Sequence, residues 1–346
     1  MKLIRFSVGD AAPRFGVVVA GHAVAFDSLL ARCGKQHASL ANSQSYLAAL
    51  PESEAAARAV LAWGEANLAQ LDAAEKPALD AVRLHAPVEV AALFDMTLTP
   101  RHLANSADVL YHYEKDNPQT GPLIEALRKM LLAPRPPAAP GVPERLSYYK
   151  GNLNSISGHG ETIPWPVYTS RLDIEPELAV VYGNAKQPVA GYCIFNDISA
   201  RDVQAPEIIG GMCLTKDMAK GNQLGPYLVT ADEVGNPYAL DVTVHVDGKE
   251  KYRGSTNEMS HKVEHVFLWL GLICPLQPGS VMGLGTIPDC CGLDHDTFID
   301  PGAEIEITFE RLGTLRCRFA EPVGKLLPSR WPVRESLKKY HGSGNP

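Results

Sequence analysis

From residue 146 onward the chain is a succession of short apolar or alternating runs, each closed by a turn signal. That pattern implies sheets packed or rolled on one another. Residues 178–182 and 189–195 are apolar runs, while 240–246 alternates apolar and polar side chains and then meets Asp247-Gly248, a strong hairpin signal. Residues 281–284 follow Pro278-Gly279. Residues 303–309 alternate, and Leu312-Gly313 turns the chain into 315–319. A single helix, about 262–272, interrupts these strands.

The first part of the chain reads differently. Runs at 3–6 and 16–20 predict strands. The Ala-rich stretch 52–71 places Val60, Leu61, Leu68 and Leu71 roughly on one helical face. A boundary falls near 83–88, where this pattern gives way to a strand-like run over 88–94. Pro100 suits the first turn of a helix running to Tyr113, and 123–132 predicts another. The Pro-rich stretch 134–141 predicts a stiff exposed loop, and the last fifteen residues a fraying tail. The expected organisation is mainly β with α+β character: an N-terminal α+β domain (1–87), a larger domain (88–330) and a C-terminal tail (331–346).

Composition narrows the function. The 346 residues carry a formal net charge of -7, which disfavours nucleic-acid and anionic-membrane partners. No apolar run approaches the roughly 20 residues of a membrane span, and the start lacks a signal core, so a cytoplasmic location is expected. The seven cysteines are scattered without a C-x-x-C pair, as expected of reduced thiols rather than a zinc knuckle. P-loop, G-x-G-x-x-G, H-E-x-x-H and G-x-S-x-G motifs are absent, which weakens nucleotide, dinucleotide, zincin and serine-hydrolase readings.

The informative segment is Asp173-Ile174-Glu175-Pro176-Glu177. If it is extended, its three acids share one face and lead into an apolar strand. Carboxylates gathered there without a basic neighbour repel one another and suffer desolvation, a cost that a divalent cation relieves. The competing reading is a solvated edge strand, which Pro176 also suits. Asp95 and Asp197 each end an apolar run. Asp95, Glu175, Glu177 and Asp197 together make an all-oxygen donor set that suits Mg²⁺, Mn²⁺ or Ca²⁺ rather than zinc.

These segments resemble the fumarylacetoacetate hydrolase superfamily. Residues 173–181 are similar to its E-x-E metal motif. Asn196-Asp197-Ile198-Ser199-Ala200-Arg201-Asp202-Val203-Gln204 matches its N-D-x-S-A-R-D-x-Q signature. Leu224-Gly225-Pro226, Gly285-Thr286-Ile287-Pro288 and the strands over 303–319 resemble its later signatures. The resemblance covers roughly 90–325 and implies a mixed β-sandwich roll as catalytic domain, with a smaller N-terminal domain and a homodimer.

It also implies site roles. Asp95, Glu175, Glu177 and Asp197 are the expected metal ligands, with Mg²⁺ the first choice of ion. Lys216, with Lys220 as competitor, is the expected catalytic lysine. Gln204, Thr286 and Tyr149 are expected to touch substrate. His102, seven residues beyond Asp95, is the expected general base, and Asp294 the acid that orients it. Arg201 and Asp202 read as a structural pair. Lys150, Asn152 and Tyr111 depart from the family pattern and point away from fumarylacetoacetate itself. The expected activity is metal-dependent cleavage of a C–C bond in a 1,3-dicarbonyl acid, of the kind met in aromatic catabolism. Decarboxylation of an oxaloacetate-like acid, isomerase or hydratase chemistry, and an inactive scaffold are the alternatives.

Overall fold

The computed structural model describes residues 1–133 and 144–341; the Pro-rich loop expected at 134–141 and the last five residues lie outside them. An eleven-stranded mixed sheet forms the body. Its main order is His22–Ala25, Arg14–Val19, Lys2–Ser7, Asn222–Val229, Val189–Asp197, Pro176–Tyr182, Ser280–Thr286, Ala92–Met96 and Tyr148–Lys150. A five-stranded sheet follows the order Lys249–Ser255, Asp241–Val246, Glu304–Phe309, Gly313–Phe319 and Glu161–Ile163. The result is the mixed α+β architecture expected. The hydrogen-bonded sheet runs across position 87, because Lys2–Ser7 pairs with Asn222–Val229.

The strand Pro176–Tyr182 explains its own apolar run. Successive side chains point to opposite faces, and both faces are covered. Leu178 and Val180 join the core formed with Val242, Val244, Ile305, Ile307 and Phe309 of the smaller sheet. Ala179 and Val181 join Leu29, Tyr46, Leu47 and Val60 of the N-terminal region. This strand lies between Val189–Asp197 and Ser280–Thr286, so the edge-strand reading fails. Pro176 sits at the strand's first position, where no ladder donor is lost from its middle.

Asp247 and Gly248 both take positive φ, 51° and 74°, as a two-residue type I′ hairpin requires. The helices form at Glu52–Asn67, Pro100–Glu114, Gly121–Leu132 and Val263–Ile273. The strand expected from 88 begins only at Ala92, where its parallel pairing with Ser280 starts. The tail does not fray through His341. Trp331 and Leu337 are buried, and the Trp331 indole stacks on Tyr113 at 4.1 Å while donating to Glu114 Oε1 at 2.7 Å. Among the described residues, no helix is long and apolar enough to cross a membrane.

Candidate active site

Three strands bring four acids to one buried point, Glu175 lying just before Pro176–Tyr182. Asp95 lies on Ala92–Met96 opposite Gly283. Glu177 lies on Pro176–Tyr182, paired with Phe195 and Thr286. Asp197 ends Val189–Asp197, and its N–H reaches Glu175 O at 3.1 Å. All four carboxyls are buried. Gly283 makes room for one of them: a Cβ there would come within 2.5 Å of Glu177 Oε2. The Gly285 N–H donates to that same oxygen at 3.0 Å.

The acids have basic neighbours, supplied by residues beyond the segment 173–177. The Lys216 ammonium donates to both Glu175 and Asp197. Lys220, the competitor, takes positive φ and reaches outward to Glu161 at 2.6 Å. Arg201 does not pair with Asp202. Its fully buried guanidinium bridges Asp173 Oδ2 at 2.9 Å and Glu175 Oε1 at 2.7 Å. Asp202 instead accepts from Thr169, the Ser170 N–H and Ser329. Asp173 also receives the N–H groups of Gly292 and Leu293, at 2.7 and 2.8 Å, so it grips the loop that carries Asp294.

Two cations do not balance five carboxylates. Burial, together with the charges of Asp197 and Glu175, pushes Glu177 up to about 8. Burial and neighbouring acids likewise hold Asp95 and Asp197 well above the usual carboxylate range. Glu175 lies well below it: burial opposes its charge, but Arg201 and Lys216 more than offset this. Asp95 Oδ1 and Asp197 Oδ1 are buried without a hydrogen-bond partner. Unpartnered hard oxygens in an acid-rich pocket fit a divalent cation.

His102, near the start of the helix Pro100–Glu114, is buried beside this cluster. Its Nδ1 meets Asp294 Oδ1 at 2.9 Å, and its Nε2 lies 3.5 Å from Glu175 Oε1. The Asp289 N–H donates to Asp294 Oδ2 at 2.7 Å and fixes that carboxylate. Burial opposes charge on the imidazole, but Cys291, Asp294 and Glu175 act the other way, and its pKa stands well above the usual histidine value. Cys291 Sγ lies 3.6 Å from Nδ1, and burial pushes this thiol up to about 12. His102, Cys291 and Asp294 each bring a ligand atom within 4.8 Å of the others, a group that could itself hold a metal ion.

The expected substrate contacts surround the acids at different distances. Tyr149 pairs across strands with Asp95 and donates its hydroxyl to Asp217. Thr286 Oγ1 donates to Glu177 Oε1 at 3.2 Å. Gln204 Oε1 accepts from Arg201 at 3.2 Å, one residue removed from the acids. Sequence reasoning missed the Asp173–Arg201–Glu175 bridge and the place of Cys291. The first was readable in part, since Arg201 lies within the quoted signature. Nothing local marks the second.

Residues 123–320 match the profile described as "Fumarylacetoacetate (FAA) hydrolase C-terminal". With this fold and these strand-end acids, the chain belongs to the fumarylacetoacetate hydrolase family. Among curated proteins it is similar to an uncharacterized protein of Staphylococcus aureus (strain USA300), 29% identical over 189 residues, which covers 51% of this chain and 62% of that relative. The fold is similar to the manganese(II)- and pyruvate-bound maleylpyruvate hydrolase of Sphingobium sp. SYK-6 (TM-score 0.62, 19% identity, 93% of this chain and 100% of that one). It is also similar to the 2-hydroxyhepta-2,4-diene-1,7-dioate isomerase of Mycobacterium marinum (TM-score 0.60, 20% identity, 92% of this chain and 98% of that one).

Proposed function

We propose that this protein is a metal-dependent hydrolase that cleaves a C–C bond in a 1,3-dicarbonyl acid of the acylpyruvate class. The observation that carries the reading is the Asp294–His102 pair, whose second ring nitrogen, Nε2, lies 3.5 Å from Glu175 Oε1 and 3.3 Å from the Ser106 hydroxyl. Asp95, Glu175, Glu177 and Asp197 would hold a hard divalent cation, Mg²⁺ or Mn²⁺, which when bound polarises a carbonyl and stabilises enolate charge. The Mn(II) and pyruvate of the Sphingobium structure belong to the ion and oxo-acid classes that this donor set suits.

The chain's own groups supply the rest. Asp294 accepts the Nδ1 proton, and once the ring has given up its Nε2 proton, the Nε2 lone pair serves as the base. Nε2 takes a proton from water as the water oxygen attacks the carbonyl carbon. The C–C bond then breaks, its electron pair leaving toward the carbon whose charge Lys216 helps to hold. His102 returns the proton to that carbon. The products are a carboxylic acid and a ketone or 2-oxo acid. Thr286 and Tyr149, at the rim of the acid cluster, orient the substrate's polar groups, and Gln204 does so from farther out.

The test compares acylpyruvate hydrolysis with oxaloacetate decarboxylation, with Mg²⁺ or Mn²⁺ saturating. His102→Ala is expected to lose about 10²–10⁴ in acylpyruvate turnover, the range for an acid–base residue. Metal affinity by calorimetry and any decarboxylation should persist. Undiminished acylpyruvate turnover in the variant would remove His102 from the chemistry and put decarboxylation ahead.

A further inference from the structure

We propose that His102, Cys291 and Asp294 form a second cation site, selective for a thiophilic ion of the Zn²⁺ class, whose occupation switches the enzyme off. The site stands on geometry alone, whereas the switching-off rests on the proposed role of His102.

The two donor sets differ in kind. The carboxylate cluster offers only hard oxygens. The second set offers a thiol, an imidazole nitrogen and one carboxylate, the mixture that zinc and cobalt prefer. A tetrahedral zinc with bonds of about 2.3 Å to sulfur and 2.0–2.1 Å to nitrogen holds those two atoms about 3.6 Å apart. Cys291 Sγ and His102 Nδ1 are already separated by 3.6 Å. Asp294 Oδ1, at 2.9 Å from Nδ1, has to back away slightly as the ion enters. The site is also braced. Asp294 Oδ2 is held by the Asp289 N–H, and Asp173 holds the backbone of Gly292 and Leu293 between the two loop donors.

Binding has a defined consequence for the base. Cys291 enters as thiolate and its proton leaves to solvent. Nδ1 gives its lone pair to the ion and releases the proton it shared with Asp294 to solvent, so the imidazole proton that remains sits on Nε2. That nitrogen then faces Glu175 Oε1, 3.5 Å away, as a donor instead of a base. Hydrolysis stops while the ion in the carboxylate set stays where it is. A thiophilic cation and the hard activating cation are therefore distinguished by two neighbouring sites, not by competition for one.

Cobalt(II) is the probe, added to protein already saturated with Mg²⁺. The wild-type protein should show a thiolate-to-cobalt charge-transfer band that saturates at one ion per chain. Cys213→Ser, at an exposed thiol, should keep the band, and Cys291→Ser and Cys291→Ala should lose it. In turnover, Zn²⁺ should inhibit the Mg²⁺-saturated enzyme. The inhibitory concentration should rise in the Cys291 variants by at least the roughly 10–100-fold that loss of even an outer-sphere partner costs. Absence of the band from wild type, or its survival in both Cys291 variants, overturns the site. A band that disappears as expected without Zn²⁺ inhibition overturns the switch and keeps the site. The band is read without substrate, so it decides the site even if the proposed hydrolysis fails.

Discussion

Lys216 and Arg201 show how two buried cations can share an acid cluster without neutralising it. Arg201 Nη2 donates to both Asp173 and Glu175 while Nε adds a second bond to Asp173, which suits a fixed structural bridge. Lys216 is a point charge aimed between Glu175 and Asp197, beside the carboxyl oxygens that lack partners. We expect Lys216→Met to lose about 10²–10³ in turnover, as removal of one donor to a developing oxyanion does. Lys220→Met should remain close to wild type, since Lys220 pairs with Glu161 at the surface. Steady-state kinetics on both variants checks this, and the reverse ranking would show that the wrong lysine has been placed in the chemistry. Asp95 and Asp197 were legible in sequence because each ends an apolar run, and a strand end is local information. The Arg201 bridge was legible only in part. Its adjacent acid, Asp202, looked like its partner, while the true partners lie 28 and 26 residues back along the chain.

At the scale of elements, the short turn over 158–160 joins the two sheets. Ile156–Ser157 pairs with Asn222 and Gln223 of the large sheet, and Glu161–Ile163 pairs with Cys317–Phe319 of the small one. His159 sits in this turn with Nδ1 accepting the Arg316 N–H at 3.3 Å. Burial, reinforced by the nearby Arg316 charge, lowers its pKa from 6.5 to about 4. The folded chain thus keeps this imidazole neutral where the unfolded chain would protonate it. The resulting stability is complete above about pH 6.5 and is lost as the pH falls toward 4. His159→Asn keeps an acceptor without a proton to gain. Urea unfolding between pH 7.5 and 4.5 should show the wild type losing more stability than the variant across that window. Parallel pH profiles would contradict this account. Hairpins such as 247–248 were legible because turn chemistry is local. This turn was not, because nothing in residues 158–160 records which two sheets they join.

The whole molecule is closed by its C-terminal segment, which the sequence presented as a fraying tail. Trp331 fills a cluster with Leu110, Ile124, Leu293 and Phe298, against the helix that carries His102 and the loop that carries Asp294. Trp331→Ala should cost about 3–5 kcal/mol by the usual toll of a deleted core aromatic. Chemical denaturation measures it, and a loss under about 1 kcal/mol would mean that the segment is a passive cover. The same long-range closure governs how the site comes into being. Asp95, Glu175, Asp197, Lys216 and Asp294 arrive from separate stretches of chain, and the strand bearing Asp95 lies beside a partner nearly two hundred residues later. No local piece of the polypeptide contains the whole set, so the ligand set proposed for a hard cation is complete only after the distant strands have paired. Contacts of such wide sequence separation form slowly. An ion held by the proposed set would therefore act late, stabilising the finished fold by mass action.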